Sequence, residues 1–237
     1  MKPVAIFRHT VTEGPGYFAT FLEQRSIPWQ LFAIDRGTAV PEQADAYSGI
    51  ALMGGPMSVN DPLPWIARTC ALIRSAVDQQ IPVIGHCLGG QLLSKALDGS
   101  VTASPAKEIG WGTAVAEDNA GARRWLGEER GPFDVFQWHG ETFSIPPGAE
   151  RILSNAYCRN QMFALGPHLA MQCHVEMTRA MIAEWCSGWQ DEVRGLAPLP
   201  ASVQTPEQML AEAPARLTSM RRLADRLYAV WCEGLKT

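Results

Sequence analysis

The sequence predicts an α/β protein: a mainly parallel sheet flanked by helices, with a mixed or antiparallel extension and a C-terminal helix. Three observations carry this prediction. Over residues 4–97, short apolar runs alternate with segments of helical periodicity. Runs such as Ile50-Ala51-Leu52-Met53 are apolar at successive positions, so both faces of those strands must be covered. From 109 to 174, strand-like segments follow one another with few helices between them, which is the pattern of antiparallel pairing.

In chain order, residues 4–9 form the first strand candidate, broken by Gly14-Pro15-Gly16. Residues 17–25 carry aromatic and aliphatic side chains at helical spacing, and 29–34 read as a second strand. Residues 50–53 are a third, closed by Gly54-Gly55-Pro56. Residues 64–79 predict a helix: Pro64 suits a first turn, and Ile66, Cys70, Ile73 and Val77 share one face. The run Ile81-Pro82-Val83-Ile84 then leads into Gly85-His86-Cys87-Leu88-Gly89-Gly90-Gln91, and 91–97 read as a helix. Strands are expected at 109–116, 135–145, 151–155, 161–165 and 168–174. Residues 178–193 return to helical spacing, with Met181, Ile182, Trp185 and Trp189 on one side. A proline-interrupted connection at 196–202 precedes Thr205-Pro206-Glu207-Gln208, which supplies an N-cap, a first-turn proline and a capping-box glutamine. The last helix runs through Leu210, Leu217, Met220, Leu223, Leu227 and Trp231, with Pro214 as the point of a kink or a delayed start. Residues 1–195 are expected to form one domain, with 196–237 a connection and helix packed on it.

Bulk properties narrow the function. With 237 residues, 46% hydrophobic and 19% charged, the chain can bury one large core. A formal net charge of −4 argues against nucleic acid or an anionic membrane as partner. No apolar run is long enough to span a bilayer, and the start enters a strand directly with no leader pattern, so a cytoplasmic location is expected. Six cysteines at 70, 87, 158, 173, 186 and 232 lack Cys-x-x-Cys spacing, which argues against a disulfide framework or structural zinc. No His-x-x-x-His pair and no Gly-rich phosphate loop occurs, so neither metal nor cofactor is expected.

The chemistry is expected at Cys87. A strand, a Gly-x-Cys-x-Gly turn and a helix place one side chain at the apex of a nucleophile elbow, beside the free N–H groups of a helix start. Such an environment favours thiolate, whereas a cysteine after an apolar strand can equally be a small buried hydrophobe. His174 is the best candidate base. It ends a strand-like run, and Glu176, two residues on, projects to the same face and can orient the imidazole. His86 is expected to point away from the substrate and support the turn. His139 either helps bind substrate or is a polar residue at a strand end. Gly54 and Gly55 lie at the same sheet edge as Cys87. The N–H of Gly55 could join that of Leu88 as an oxyanion hole, or the two glycines make an ordinary tight turn.

Three segments, Gly85-His86-Cys87-Leu88-Gly89-Gly90-Gln91, Gly54-Gly55-Pro56 and Cys173-His174-Val175-Glu176, together resemble the class I glutamine amidotransferases, in order and spacing. Gly54 to Asp61 and Lys107-Glu108-Ile109-Gly110-Trp111 are similar to the stand-alone, GMP-synthase-like branch, which includes γ-glutamyl peptidases. The resemblance implies a flavodoxin-like three-layer fold and a Cys87-His174-Glu176 triad acting on glutamine or a γ-glutamyl amide. It also implies an oxyanion hole at Gly55 and Leu88, and substrate contacts at Gln91, His139 and Gly54. The chain departs from the family's frequent His-Pro-Glu at Val175, and from Ser-His-x-Asp at Trp138 and Glu141. Two enzymatic roles follow: ammonia release to a separate synthetase subunit, or free-standing γ-glutamyl hydrolysis. The alternative is a non-catalytic binding or regulatory relative.

Overall fold

A computed structural model describes residues 1–236. Its first half alternates strand and helix: β1 (Val4–Arg8), α1 (Gly16–Gln24), β2 (Trp29–Ala33), β3 (Gly49–Leu52), α2 (Pro64–Asp78), β4 (Val83–His86) and α3 (Leu88–Ala96). The second half contains β5 (Val101–Ala116), α4 (Ala120–Leu126), β6 (Phe133–Phe143), β7 (Glu150–Ser154), β8 (Met162–Leu165) and β9 (His168–Met171). The helices α5 (Arg179–Gly188), α6 (Gln190–Arg194) and α7 (Pro206–Cys232) complete it.

One nine-stranded sheet runs in the order β2-β1-β3-β4-β9-β8-β7-β5-β6. The five strands from β2 to β9 are parallel, and every later pairing is antiparallel. The predicted class, a parallel sheet with an antiparallel extension, is what the chain adopts. Because β1, β3, β4 and β9 are parallel neighbours, the loops that follow them emerge at a single sheet edge, where α/β proteins bind ligands.

Alternate residues of each central strand pack on opposite layers. Val4 and Ile6 of β1 join the core under α1, α5 and α7, while Ala5 and Phe7 join the core under α2 and α3. α7 lays Met209, Leu217, Met220, Leu227 and Trp231 into the first of these layers. Its start carries the predicted capping box between Thr205 and Gln208.

The structure changes four local expectations. β5 begins at Val101 rather than 109, and Pro105 sits inside the register shift between Ala103 and Glu108, where its missing N–H costs no ladder bond. α4 is an additional helix, capped by the Asn119 side chain accepting from the Ala122 N–H. The predicted helix at 178–193 is two helices meeting at Trp189 (φ −119°, ψ 19°). α7 starts at its capping box and continues through Pro214, with the exposed Leu210 four residues before it.

Candidate active site

Cys87 stands between β4 and α3 with φ +49° and ψ −109°, a conformation disfavoured for any residue with a Cβ. Its N–H donates to the Met171 carbonyl (2.8 Å), and its own carbonyl accepts the first helical bond, from the Gln91 N–H (2.9 Å). α3 backs so closely onto the sheet that a Cβ at Gly89 would stand 2.2 Å from the Leu52 carbonyl oxygen. One at Gly90 would stand 2.4 Å from that of Met171. The two glycines therefore set the depth of the elbow. The N–H groups of the first turn, Leu88 among them, are those a helix leaves without intrahelical partners.

His174 follows β9 and is clamped to β6 by a reciprocal backbone pair with Phe136: His174 N–H to Phe136 O at 2.8 Å, and Phe136 N–H to His174 O at 3.0 Å. Its Nδ1 lies 2.6 Å from Glu176 Oε1, and the Cys87 side chain is near enough to the ring to favour its charged form. The Trp185 ring stands edge-on to the imidazole at 5.0 Å. Glu176 Oε2 accepts the Val175 N–H (2.9 Å) and lies 3.8 Å from His86 Nε2, which is 3.0 Å from the Tyr228 hydroxyl of α7. His86 thus points away from the cleft and backs the carboxylate.

The electrostatics follow from this packing. Burial by itself would lower the His174 pKa, but the Glu176 charge and the Cys87 side chain outweigh it and hold the imidazole well above its ordinary value. Burial would raise the Glu176 carboxyl. The facing His174 and then His86 outweigh it and bring the pKa to about 2. Burial pushes the thiols of Cys70, Cys158, Cys173, Cys186 and Cys232 up, with Cys186 at about 11 and Cys232 at about 12. Cys87 alone among the six lines the cleft.

That cleft holds about 380 Å³ and is lined by Glu13, Gly55, Cys87, Trp138, Trp185, Lys107, Trp189 and Glu192 among others. Of the residues singled out from the sequence, Gly55, Cys87, Gln91 and His139 line it. Gln91 Nε2 donates to Gln172 Oε1 (3.2 Å), and Gln172 in turn directs its Nε2 at Cys87 Sγ (3.6 Å). The side chain of Leu88 packs in the core, leaving its backbone N–H to the site. Both ring nitrogens of His139 are committed, Nδ1 to the Glu141 carbonyl (2.9 Å) and Nε2 to Glu108 (3.1 Å). Its ring can therefore shape the wall, but it has no free polar atom to offer. Gly54 lies behind the wall: a Cβ there would meet Glu13 Oε2 at 1.9 Å and His174 Cε1 at 3.1 Å.

Sequence reasoning missed Glu13 and Gln172. Glu13 is buried, and burial, then the neighbouring Glu176, outweigh the favourable His174 charge and raise its pKa to about 7. Its only sequence signal was an acid in the loop after the first parallel strand, which opens at the ligand edge. Glu108, His139 and Cys158 bring potential metal-ligand atoms within 4.8 Å of one another. Glu108 is already saturated by His139, Asn155 (2.6 Å) and Gln161 (2.9 Å), and Cys158 Sγ pairs with Thr142 (3.1 Å), so the group forms a closed hydrogen-bond network. Among the described residues no helix is long and apolar enough to cross a membrane.

The profile of the family "Glutamine amidotransferase class-I" matches residues 20–181. The crystal structure of a glutamine amido transferase from Methylobacillus flagellatus superposes with a TM-score of 0.96 at 45% identity, over 100% of this chain and 96% of that one. A glutamine amidotransferase-like protein of Salmonella typhimurium, YfeJ, is 30% identical over 177 residues, 72% of this chain and 74% of that protein. Gamma-glutamyl peptidase 4 of Arabidopsis thaliana is 24% identical over 172 residues, 70% of this chain and 68% of that one. The chain also matches the glutamine-hydrolysing GMP synthase of Aromatoleum aromaticum at 31% identity over 144 residues, but spans only 27% of that protein's length. With the profile covering more than half of its residues, the chain belongs to the class-I glutamine amidotransferase family.

Proposed function

We propose that this chain hydrolyses the side-chain amide of glutamine, or a related γ-glutamyl amide, through a γ-glutamyl thioester on Cys87. The observation that carries the reading is the strained Cys87 at the elbow, next to an imidazole whose other nitrogen is held 2.6 Å from a buried carboxylate. That is the nucleophile, base and orienting group of a triad. Strain at a buried cysteine has a cost that a merely structural thiol would not require.

In this mechanism the Cys87 thiolate attacks the γ-carbonyl carbon, and the oxyanion forms towards the N–H groups of Gly55 and Leu88. His174 gives its proton to the nitrogen as the C–N bond breaks and the amine leaves. Water then attacks the thioester, passing a proton to His174, and the C–S bond breaks to release glutamate and restore the thiolate–imidazolium pair. Glu176 fixes the tautomer and stabilises the charged ring throughout.

Two fates of the nitrogen fit this chemistry: ammonia passed to a separate synthetase subunit, or release of an amine by a free-standing hydrolase. The size of the cleft favours the second. It holds about 380 Å³, and its lining includes Trp138, Trp185 and Trp189 as well as Cys87. The test is release of ammonia or amine from glutamine, γ-glutamyl dipeptides and γ-glutamyl conjugates by purified protein. Cys87→Ala is expected to reduce turnover at least ~10³-fold with folding preserved. Full activity in Cys87→Ala would overturn the thiol mechanism. A protein inactive on the whole panel until a partner fraction is added would favour the synthetase-linked role.

A further inference from the structure

Glu13 has no role in the mechanism above, yet its surroundings are unusual for a buried acid. The residue is only 5% exposed, it borders the cleft, and its carboxylate makes no side-chain hydrogen bond among the described residues. Buried carboxyl groups are normally paired, because an unpaired one forfeits its hydration without replacement. The side chain borders the cleft beside Cys87, and its Oε2 flanks, with His174 Cε1, the point where a Gly54 Cβ would stand. Nor is the loop free to swing the group away. Trp185 Nε1 donates to the Thr12 carbonyl (2.8 Å), and the Tyr17 N–H donates to the Glu176 carbonyl (2.8 Å), which ties one side of Glu13 to α5 and the other to the triad segment.

A lone acceptor so placed calls for a donor from the ligand. In a scissile amide the carbonyl oxygen is an acceptor, which a carboxylate repels, and the nitrogen carries the N–H donors. His174 must hand its proton to that nitrogen, so the nitrogen has to approach on the side Glu13 shares with the imidazole. The opposite orientation would aim the carbonyl oxygen at the Glu13 carboxylate. An amide's NH and O ends differ little in shape, so an acceptor beside the imidazole discriminates between them.

We propose that Glu13 is a further catalytic residue: its carboxylate accepts a hydrogen bond from the leaving-nitrogen N–H of the scissile amide, orienting that nitrogen towards His174. This rests on the γ-glutamyl amide reading of the site. It assigns the enzyme to substrates whose leaving atom carries hydrogen, primary and secondary amides, over esters with the same glutamyl half.

The test compares kcat/KM, which reports only steps up to the thioester, for two substrates with a common acyl group: a γ-glutamyl amide and glutamate γ-methyl ester. Glu13→Leu keeps bulk and removes the acceptor. Loss of a hydrogen bond to a charged acceptor predicts a fall of ~10- to 100-fold with the amide and no more than ~3-fold with the ester. Glu13→Gln, which keeps one acceptor oxygen, is expected to lie between wild type and Glu13→Leu on the amide, and it carries the test if the leucine variant unfolds. Equal losses on amide and ester would overturn the assignment, since a group holding the fold or the glutamyl half must affect both. An unchanged amide rate would overturn it too. Wild-type protein that cleaves the amide while the ratio fails to move separates this failure from the parent reading. Wild-type protein that cleaves neither substrate, with or without a partner fraction, overturns both.

Discussion

Two buried glutamates flank His174 and ionise at opposite ends of a wide range, about 2 for Glu176 and about 7 for Glu13. The difference is one of partners. Glu176 faces the imidazole at 2.6 Å and a backbone N–H at 2.9 Å, whereas Glu13 has burial and a like-charged neighbour. Linkage turns this into opposite pH dependences of stability. Glu176, with its folded pKa depressed, contributes stability fully above its unfolded pKa near 4.5, and that stability is lost as pH falls towards about 2. Glu13, with its folded pKa raised, costs nothing below about 4.5, and its cost grows until pH passes about 7. Glu13→Leu is therefore expected to gain stability relative to wild type between pH 5 and pH 8, by ~3 kcal/mol at most. Denaturant titrations at the two pH values measure this, and a variant that loses relative stability on going to pH 8 would show that Glu13 has a partner in the folded protein. The same contrast explains what could be read from the chain. His174 and Glu176 are two residues apart, so extended geometry alone puts them together. Glu13 reaches them only through the packing of a separate loop, and local spacing holds no trace of it.

At the scale of elements, β1, β3, β4 and β9 matter because their C-terminal ends coincide, delivering Glu13, Gly55, Cys87 and His174 from four distant parts of the chain. The apolar runs made most of these strands legible. β5 was cut short because Ser104-Pro105 interrupts its pattern at the bulge, and α4, only seven residues long, ends in Arg123 and Arg124 before Trp125 and Leu126 and offers too little periodicity. What no local pattern could reveal is the use made of α7. Its Tyr228 is fully buried and meets His86 at 3.0 Å, behind the Glu176 carboxylate. Tyr228→Phe removes the hydroxyl and leaves His86 Nε2 without its closest partner. The expected result is ~1 kcal/mol of lost stability and a several-fold fall in kcat with KM little changed, because the residue acts from behind the triad and does not border the cleft. Steady-state kinetics on the folded variant check this. A raised KM with normal kcat would place the effect at the substrate side and remove Tyr228 from the support of Glu176.

At the scale of the whole molecule, the family profile ends at residue 181, yet the core does not. α7 follows the connection at 196–202 and buries Met209, Leu217, Met220, Leu223, Leu227, Tyr228 and Trp231 in the same layer as Phe18, Phe21 and Trp125. Phe18 alone stacks edge-on with Tyr228 at 4.8 Å and Trp231 at 5.6 Å. Each large side chain so buried is worth ~1.5–3 kcal/mol of transfer free energy. Seven of them come to about 10–21 kcal/mol, as large as the whole net stability of a typical domain, about 5–15 kcal/mol. Removing residues 196–237 would also expose their aromatic counterparts on α1 and the sheet, and strip His86 of Tyr228. The shortened chain 1–195 is therefore expected to lose its cooperative thermal transition and aggregate, instead of folding with a modest loss of stability. Circular dichroism melts and limited proteolysis of the two lengths distinguish these outcomes. A shortened chain that melts cooperatively and still cleaves a γ-glutamyl amide would show that α7 is an appendage, and that the triad is held by the remaining two-layer packing alone.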